Sequence, residues 1–222
     1  MAGAAGGDGS RPAEPVTARL REAILDGEFV PGQRLIEGDL TERFAASRAA
    51  VRAALLELAG EGLIERVQNR GARVRAVSLE EAVEICELRM VVEGLCAAKA
   101  AERITGPEIE ELRALGAEMG EAVAAGDVLG YSRLNKRLHE RVQEIGAQRT
   151  AALVLERLRA QNVRHQFRLA MHPGRPAVSL PEHRAIIDAV CARDPEAAER
   201  AARDHLRSVI RTLRQVAQDG PA

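Results

Sequence analysis

The 222-residue chain contains no tryptophan, and aromatic residues make up only 2% of it. Its core must therefore be built from aliphatic side chains, and its abundant Ala, Leu, Glu and Arg favour helices. No apolar run approaches the roughly 18 residues of a membrane-spanning helix, so we expect no membrane partner. The start of the chain, MAGAAGGDGSRP, lacks the apolar segment of a signal peptide. We therefore predict a cytoplasmic protein.

Cysteine, net charge and enzyme motifs are also scarce. Cys86, Cys96 and Cys191 show no paired spacing and lie in apolar helical stretches, which predicts reduced thiols in the core. The formal net charge of −1 neither favours nor excludes a nucleic-acid partner, so the distribution of charge decides. The sequence has no HExxH, no nucleophile motif and no phosphate-binding glycine loop, and we predict that the chain is not an enzyme.

The hydrophobic periodicity changes along the chain. Residues 1–13, rich in Gly and Ala, are predicted to be a disordered tail. Residues 14–77 follow the order helix, helix, helix, hairpin, whereas residues 78–218 have helical periodicity throughout. We therefore predict a small mixed domain followed by a bundle of six or seven helices.

Local signals mark several helix ends. Ser47 is a plausible N-cap for "SRAAVRAALLELAGEG". In the second region Ser78, Thr105, Asp127 and Asp194 are predicted to open helices. One helix is expected from Arg149 to Leu169. Three prolines in "MHPGRPAVSLP" predict a break, with the next helix running from Pro181 to Ala192.

The helix that begins at Ser47 is a candidate for the recognition helix of a helix-turn-helix. Arg48 and Arg52 are four residues apart, so they share one face, and Arg suits bidentate contact with guanine. The core side is assigned to four apolar residues: Val51, Leu55, Leu56 and Leu58. Contact with DNA is expected near the N-terminus of this helix.

A basic hairpin follows. Residues 66–75 contain four arginines and no acid: Arg66, Arg70, Arg73 and Arg75. Gly71 at its tip permits a positive φ and close approach to a phosphate or groove floor. A solvated arginine-rich hairpin would explain the same residues, but its place beside a helix pair favours DNA binding.

The segment "GEFVPGQRLIEGDLTERFAASRAAVRAALLELAGEGLIERVQNRGARV" resembles the winged-helix domain of the GntR family. The resemblance implies operator DNA as partner and a DNA contact set of Ser47, Arg48, Arg52, Arg70 and Gly71. The family usually has Thr-Pro where this chain has Ala49 and Ala50, which removes one threonine contact.

Three of the five histidines lie on different predicted helices, namely His139, His183 and His205. Asn135 precedes His139 by four residues and shares its face. Imidazoles from facing helices can build a metal site inside a bundle. Considered alone, each histidine could equally be a core or a solvated residue.

The segments "ICELRMVVEGLCAAKAAERI", "LNKRLHERV", "PEHRAIIDAV" and "DPEAAERAARDHL" look like the FCD-type effector domain of the FadR subfamily. The resemblance implies a divalent metal, often zinc, held by an Asp and three His. These map onto Asn135, His139, His183 and His205, with Asn135 in place of the usual Asp. Asn can ligate through its carbonyl oxygen but brings no charge, so metal affinity should fall.

Arg89 is a candidate for effector binding. It lies among Ile85, Leu88 and Val92 and matches a frequent Arg of the subfamily, and a guanidinium suits a carboxylate. Glu93, four residues on, could simply pair with it.

The combined expectation is a mainly α protein, with an N-terminal winged helix-turn-helix at residues 14–77 and a C-terminal all-α, FCD-like bundle at residues 78–218. It would act as a homodimeric regulator on palindromic DNA and sense a small organic acid at a metal. Two alternatives stay open at this point: a metal-dependent hydrolase and a helical interaction protein that does not bind DNA.

Overall fold

The computed structural model describes residues 15–67 and 71–218, and the chain divides into two compact units between Ala76 and Val77. The predicted tail at residues 1–13 and the hairpin residue Arg70 lie outside the described residues. The described part is mainly helical with one small sheet, which confirms the predicted fold class.

The first unit has the predicted order of helices and hairpin. Its elements are α1 (Val16–Leu25), β1 (Arg34–Leu35), α2 (Glu37–Arg43), α3 (Arg48–Gly60), β2 (Ile64–Val67) and β3 (Gly71–Val74). The antiparallel sheet has the strand order β1-β3-β2, with Val67 opposite Gly71. Leu20, Leu40, Val51 and Leu58 are buried in its core together with two aromatic residues, Phe29 and Phe44.

The face of α3 that packs inward is narrower than the sequence indicates. Val51, Leu55 and Leu58 are buried as expected. Leu56, which the sequence assigns to the core side, is 62% exposed, so that assignment is wrong. Leu56 follows Arg52 by four residues and therefore belongs to the same outward face of the helix.

The second unit is a bundle of helices. It consists of α4 (Leu79–Arg103), α5 (Gly106–Ala124), α6 (Val128–Gly146), α7 (Arg149–Gln161), α8 (Val163–Ala170), α9 (Arg175–Cys191) and α10 (Pro195–Gln218). Helix α4 is central, because α6, α7, α9 and α10 all pack against it.

The described backbone of this second unit runs from 77 to 218 without a gap, and none of its residues between 85 and 215 forms a strand. Ser78 Oγ accepts a hydrogen bond from the Glu81 N–H, and Asp127 Oδ1 accepts one from the Gly130 N–H. Thr105 and Glu108 form a reciprocal capping box. These predicted helix starts are therefore confirmed.

Two predicted boundaries in this unit are wrong. The single helix expected from Arg149 to Leu169 is divided into α7 and α8 at the buried Asn162, whose Nδ2 donates to Cys86 Sγ over 3.5 Å. Asn competes with helical hydrogen bonding through its own side chain. Helix α9 begins at Arg175 rather than Pro181, because Pro176 lies in the first turn, where its missing N–H costs nothing.

Pro181 lies inside α9, so it removes one helical hydrogen bond without ending the helix. The helix continues because both sides of Pro181 are packed into the bundle: Ser179, His183 and Ile186 are all buried. This early start matters for function, since it brings Arg175 and Ser179 onto the same helix as His183.

Candidate functional site

The N-terminus of α3 presents the predicted DNA-contacting residues outward. Ser47 Oγ accepts a hydrogen bond from the Ala50 N–H at 3.2 Å, which fixes the first turn. Ser47, Arg48 and Arg52 are all exposed. The Arg52 Nε donates to Glu37 Oε2 on α2 at 2.8 Å.

The hairpin β2–β3 forms the predicted wing-like element. Gly71 has a φ of +84°, a conformation that favours glycine. Arg66 and Arg73 are exposed. Arg73 Nε lies 2.5 Å from Glu65 Oε1 on the neighbouring strand, so an acid just outside residues 66–75 offsets part of the local positive charge.

The three histidines predicted from separate helices lie together in the second unit. His139 comes from α6, His183 from α9 and His205 from α10, and one ligand nitrogen of each lies within 4.8 Å of the others. The ring centroids of His183 and His205 are 4.4 Å apart. Both of these side chains are buried, so the helices bring the imidazoles to one place inside the bundle.

Each of these imidazoles has an oxygen atom beside its Nδ1. His183 Nδ1 lies 2.8 Å from the Tyr131 hydroxyl, His205 Nδ1 lies 2.9 Å from Glu182 Oε2, and His139 Nδ1 lies 3.2 Å from Glu93 Oε2. An Nδ1–H donated to oxygen leaves Nε2 with a lone pair for a metal. His183 Nε2 is buried and has no hydrogen-bond partner, which fits such a role.

Burial favours the neutral imidazoles that a metal requires. Desolvation lowers the pKa of His139 from 6.5 to about 4, despite the opposing effect of the Glu93 charge. Desolvation, followed by the neighbouring His205 and His139, lowers the pKa of His183 well below its usual value. At neutral pH both rings are therefore uncharged and able to ligate.

Asn135 lies one helical turn before His139 on α6. Its Oδ1 is buried and has no hydrogen-bond partner. A buried amide oxygen normally finds a donor or a cation, so this atom is available to accept one. Three imidazoles and one amide oxygen are donors suited to a divalent ion such as zinc.

Arg89 lies buried on α4 and is paired with Glu93. Its Nε and Nη2 both lie 2.9 Å from Glu93 Oε1, so the pairing that the sequence left open is present. Arg159 Nη2 lies 3.3 Å from the same oxygen. Burial acts to raise the pKa of Glu93, but the charges of Arg89 and Arg159 outweigh it and hold the pKa well below its usual value.

A cavity of about 10 Å³ lies beside His139 and Glu93, with Leu138, Val142 and Ile186 in its wall. This volume holds about one water molecule. An organic acid would enter only if the cavity widened.

Sequence reasoning missed the residues that surround the histidines. Tyr131 could have been found, because Tyr131, Asn135 and His139 are spaced by four along α6. Arg175 and Ser179 have the same spacing before His183, but the prolines concealed that they share a helix. Glu182 gave no such signal.

Comparison with known protein families gives one match in each of the two units. The family model described as bacterial regulatory proteins, gntR family, matches residues 12–74, and the model described as FCD domain matches residues 84–208. The chain belongs to the GntR family. This GntR-family protein with an FCD domain is a transcription regulator and not an enzyme.

Two curated relatives of this GntR-family protein cover most of it. The HTH-type transcriptional repressor RspR of Escherichia coli is 28% identical over 212 residues, covering 94% of this chain and 93% of the relative. A probable D-xylose utilization operon transcriptional repressor of Paenarthrobacter nicotinovorans is 29% identical over 201 residues, covering 88% and 87%.

Among solved structures, E. coli McbR/YncC has a TM-score of 0.74 and 23% identity, over 90% of this chain and 95% of that one. A GntR regulator from Rhodococcus sp. RHA1 has a TM-score of 0.69 and 24% identity, over 90% and 96%. These likenesses show the fold. Across residues 15–67 and 71–218, no helix has both the length and the apolar character to cross a membrane.

Proposed function

We propose that this GntR-family protein is a repressor that binds palindromic operator DNA as a homodimer and releases it when a small organic acid binds at a metal in the FCD domain. The observation that carries the sensor part is the convergence of His139, His183 and His205. The names of the two repressor relatives support repression.

For DNA recognition, Arg48 and Arg52 would reach base edges in the major groove from the N-terminus of α3. Their exposure and the cap at Ser47 support this role. Gly71 and Arg70 would place the wing against the backbone or the adjacent groove, Arg70 being outside the described residues. Arginine contacts to phosphate would supply affinity, and arginine contacts to bases would supply specificity.

Selection from a random pool of double-stranded DNA tests the DNA part and requires no assumption about the operator sequence. We expect an enriched palindrome whose half-sites lie about one helical turn apart, since two recognition helices related by a two-fold axis read such a site. Failure to enrich any sequence, with the protein folded and at low salt, would contradict the proposal.

For dimerisation, an apolar stripe on α4 supports pairing with a second copy of this chain. Leu88, Val91 and Leu95 are 49%, 49% and 44% exposed and follow one another at spacings of three and four. This spacing places them on one face of the helix. Eleven other residues of α4 are buried within its own bundle.

The charges flanking this stripe favour an antiparallel arrangement of two copies of α4. An exposed Glu84 precedes the stripe and Lys99, which also pairs with Glu102 at 2.8 Å, follows it. Antiparallel pairing centred near Val91 brings Glu84 of one copy towards Lys99 of the other and Leu88 towards Leu95. An interface of this kind is self-complementary, as a two-fold dimer requires.

For sensing, a divalent metal, with zinc as our proposal, would be held by the three histidines and by Asn135. The metal would act as an electrophilic centre that attracts a carboxylate into its open positions. Arg89 is proposed as a second anchor for that carboxylate. Since its Nε and Nη2 already contact Glu93 Oε1, the effector would have to share or displace this pairing.

The effector would also have to widen the cavity beside His139, which has room for about one water molecule. An effector changes operator affinity only if it binds one conformational state more tightly than another. We propose that the acid binds more tightly to the conformation in which this cavity is widened.

A thermal-shift screen of small carboxylic acids on zinc-loaded protein, followed by operator release measured by fluorescence anisotropy, tests the sensor. We expect an acid that stabilises the zinc-loaded protein and also lowers its operator affinity, with both effects abolished by a chelator. An effector response that is equally strong after complete chelation would contradict the role of the metal.

A further inference from the structure

The carboxylates of Glu93 and Glu182 lie beside the Nδ1 atoms of two of the three clustered histidines. Glu182 Oε2 is hydrogen-bonded to His205 Nδ1 at 2.9 Å, whereas Glu93 Oε2 lies at an ion-pair distance of 3.2 Å from His139 Nδ1 without hydrogen-bond geometry. Each carboxylate therefore lies beside Nδ1, which leaves Nε2 of the same imidazole for a metal. An acceptor at Nδ1 fixes the tautomer and orientation of a ligating imidazole and makes it a better donor.

The third histidine differs, because its Nδ1 neighbour is neutral. The Tyr131 hydroxyl lies 2.8 Å from His183 Nδ1 and 2.7 Å from Ser179 Oγ. Ser179 Oγ donates in turn to the Arg175 carbonyl at 3.0 Å. This chain of hydroxyls orients His183 without placing a negative charge beside its Nδ1.

Arginines hold both carboxylates in place. Arg175, itself only 6% exposed, directs Nη2 to Glu182 Oε2 at 3.1 Å and Nη1 to Ser208 Oγ at 3.0 Å. Arg89 and Arg159 both contact Glu93 Oε1, which leaves Oε2 turned to His139. Each carboxylate that meets an imidazole is thus held by at least one guanidinium.

We propose that Glu93 and Glu182 are positioning residues that set His139 and His205 to donate Nε2 to the metal, so that the proposed site depends on them for its affinity. All four direct ligands, Asn135 included, are neutral. The carboxylates therefore supply the negative polarisation that the ligands themselves lack. This inference rests on the metal site of the proposed function.

The test uses full-length protein and competitive titration with a chromophoric chelator, with Zn²⁺ and Co²⁺ as the probe ions. Replacing Glu182 by Gln keeps an oxygen acceptor and removes the charge, whereas Glu182→Ala removes both. We expect Zn²⁺ affinity to fall about 10-fold in the Gln variant and up to about 100-fold in the Ala variant. The visible spectrum of bound Co²⁺ should also change, because the orientation of a ligand changes.

Two further variants act as controls. Glu111→Gln removes a carboxylate that accepts from Arg141 rather than from a histidine, and it should leave the Zn²⁺ affinity unchanged. Tyr131→Phe removes the neutral neighbour of His183, and it should cost less than Glu182→Ala. Thermal unfolding of each metal-free variant identifies any loss of fold. If Glu182→Ala does not fold, Glu182→Gln and Glu93→Gln decide the question.

The outcomes separate this inference from the proposed function. Wild-type affinity and an unaltered Co²⁺ spectrum in folded Glu182→Gln and Glu182→Ala variants would overturn the positioning role and leave the metal site intact. A wild-type protein that binds neither ion would overturn the metal site and this inference together.

Discussion

Arg52 Nε and Glu37 Oε2 lie 2.8 Å apart, so the side chain that we propose reaches the DNA bases is paired with an acid of the preceding helix. The two side chains are 66% and 40% exposed, and such solvated pairs contribute little to stability. On DNA, Arg52 would exchange this acid for a base edge or a phosphate. The pair therefore positions Arg52, and breaking it on DNA binding costs little free energy.

Replacement of Arg52 by Ala should weaken binding to a selected palindrome by about 1–3 kcal/mol, the cost of losing a bidentate base contact. Arg70→Ala should cost less and act more evenly across sequences if that side chain meets mainly phosphate. Fluorescence anisotropy at matched salt measures both.

Arg113→Ala is the matched control for these variants, because Arg113 is exposed, lies on α5 and pairs with Glu110. Its operator affinity should equal that of the wild type. Unchanged affinity in both Arg52→Ala and Arg70→Ala would remove the basis for the DNA interface.

Replacement of Glu37 by Gln should tighten DNA binding. The substitution removes a negative charge near the DNA and frees Arg52 from a competing partner, and exposed pairs of this kind are worth about 0.2–1 kcal/mol. Anisotropy should show a gain of that size, which should disappear when Arg52 is also replaced by Ala. If Glu37→Gln tightens binding by the same amount in the Arg52→Ala background, the gain comes from loss of the negative charge and not from the release of Arg52.

Dimerisation through α4 predicts that Val91→Glu separates the protein into monomers. Antiparallel pairing would bring two added carboxylates close together in an apolar contact, where like charges are costly. Light scattering at micromolar concentration measures the mass. Leu129→Glu, a change at a leucine that is 58% exposed on α6, should leave the dimer intact. A wild-type monomer, or a dimer that survives Val91→Glu, would contradict this interface.

Acidification should destabilise the metal-free protein between about pH 6.5 and pH 4. Burial lowers the pKa of His139 from 6.5 to about 4 in the folded protein. Below pH 6.5 the unfolded chain therefore takes up a proton that the folded chain does not, and stability is lost as the pH falls through this window. His183, whose pKa is also lowered, acts in the same direction.

Chemical denaturation in the presence of a chelator, at several pH values from about 7.5 to about 4, measures this effect. Carboxylates with lowered pKa values, such as Glu182, also lose stabilising charge at the acid end of the range. The His139→Gln variant isolates the histidine, because it should lose less stability than the wild type between about pH 6.5 and pH 5. An identical loss in both proteins would show that His139 is not kept neutral by burial.

The sequence predicted the elements that local chemistry determines. Ser47 and Asp127 cap the helices expected of them, and Gly71 has its positive φ, because capping and backbone preferences act over a few residues. The boundary near Asn162 and the early start of α9 depend on tertiary burial, which periodicity does not reveal.

The same distinction applies to the candidate site. The family resemblance selected His139, His183 and His205 from the five histidines, and the structure brings them together. Their Nδ1 neighbours were missed, because Glu182 contacts His205 across two helices. The contact between Glu93 on α4 and His139 on α6 was also missed, because it joins two helices. The sequence showed only that Glu93 is four residues from Arg89.

Metal stoichiometry is the most direct test of the sensor. Equilibrium dialysis of full-length protein against Zn²⁺, followed by metal analysis, should give about one ion per chain. The double replacement of His183 and His205 by Ala should abolish this uptake while leaving operator binding by the metal-free protein nearly intact. The control variant His172→Ala, altered at a histidine outside the cluster, should bind as the wild type does. Stoichiometric zinc in the double variant, or none in the wild type, would contradict the account.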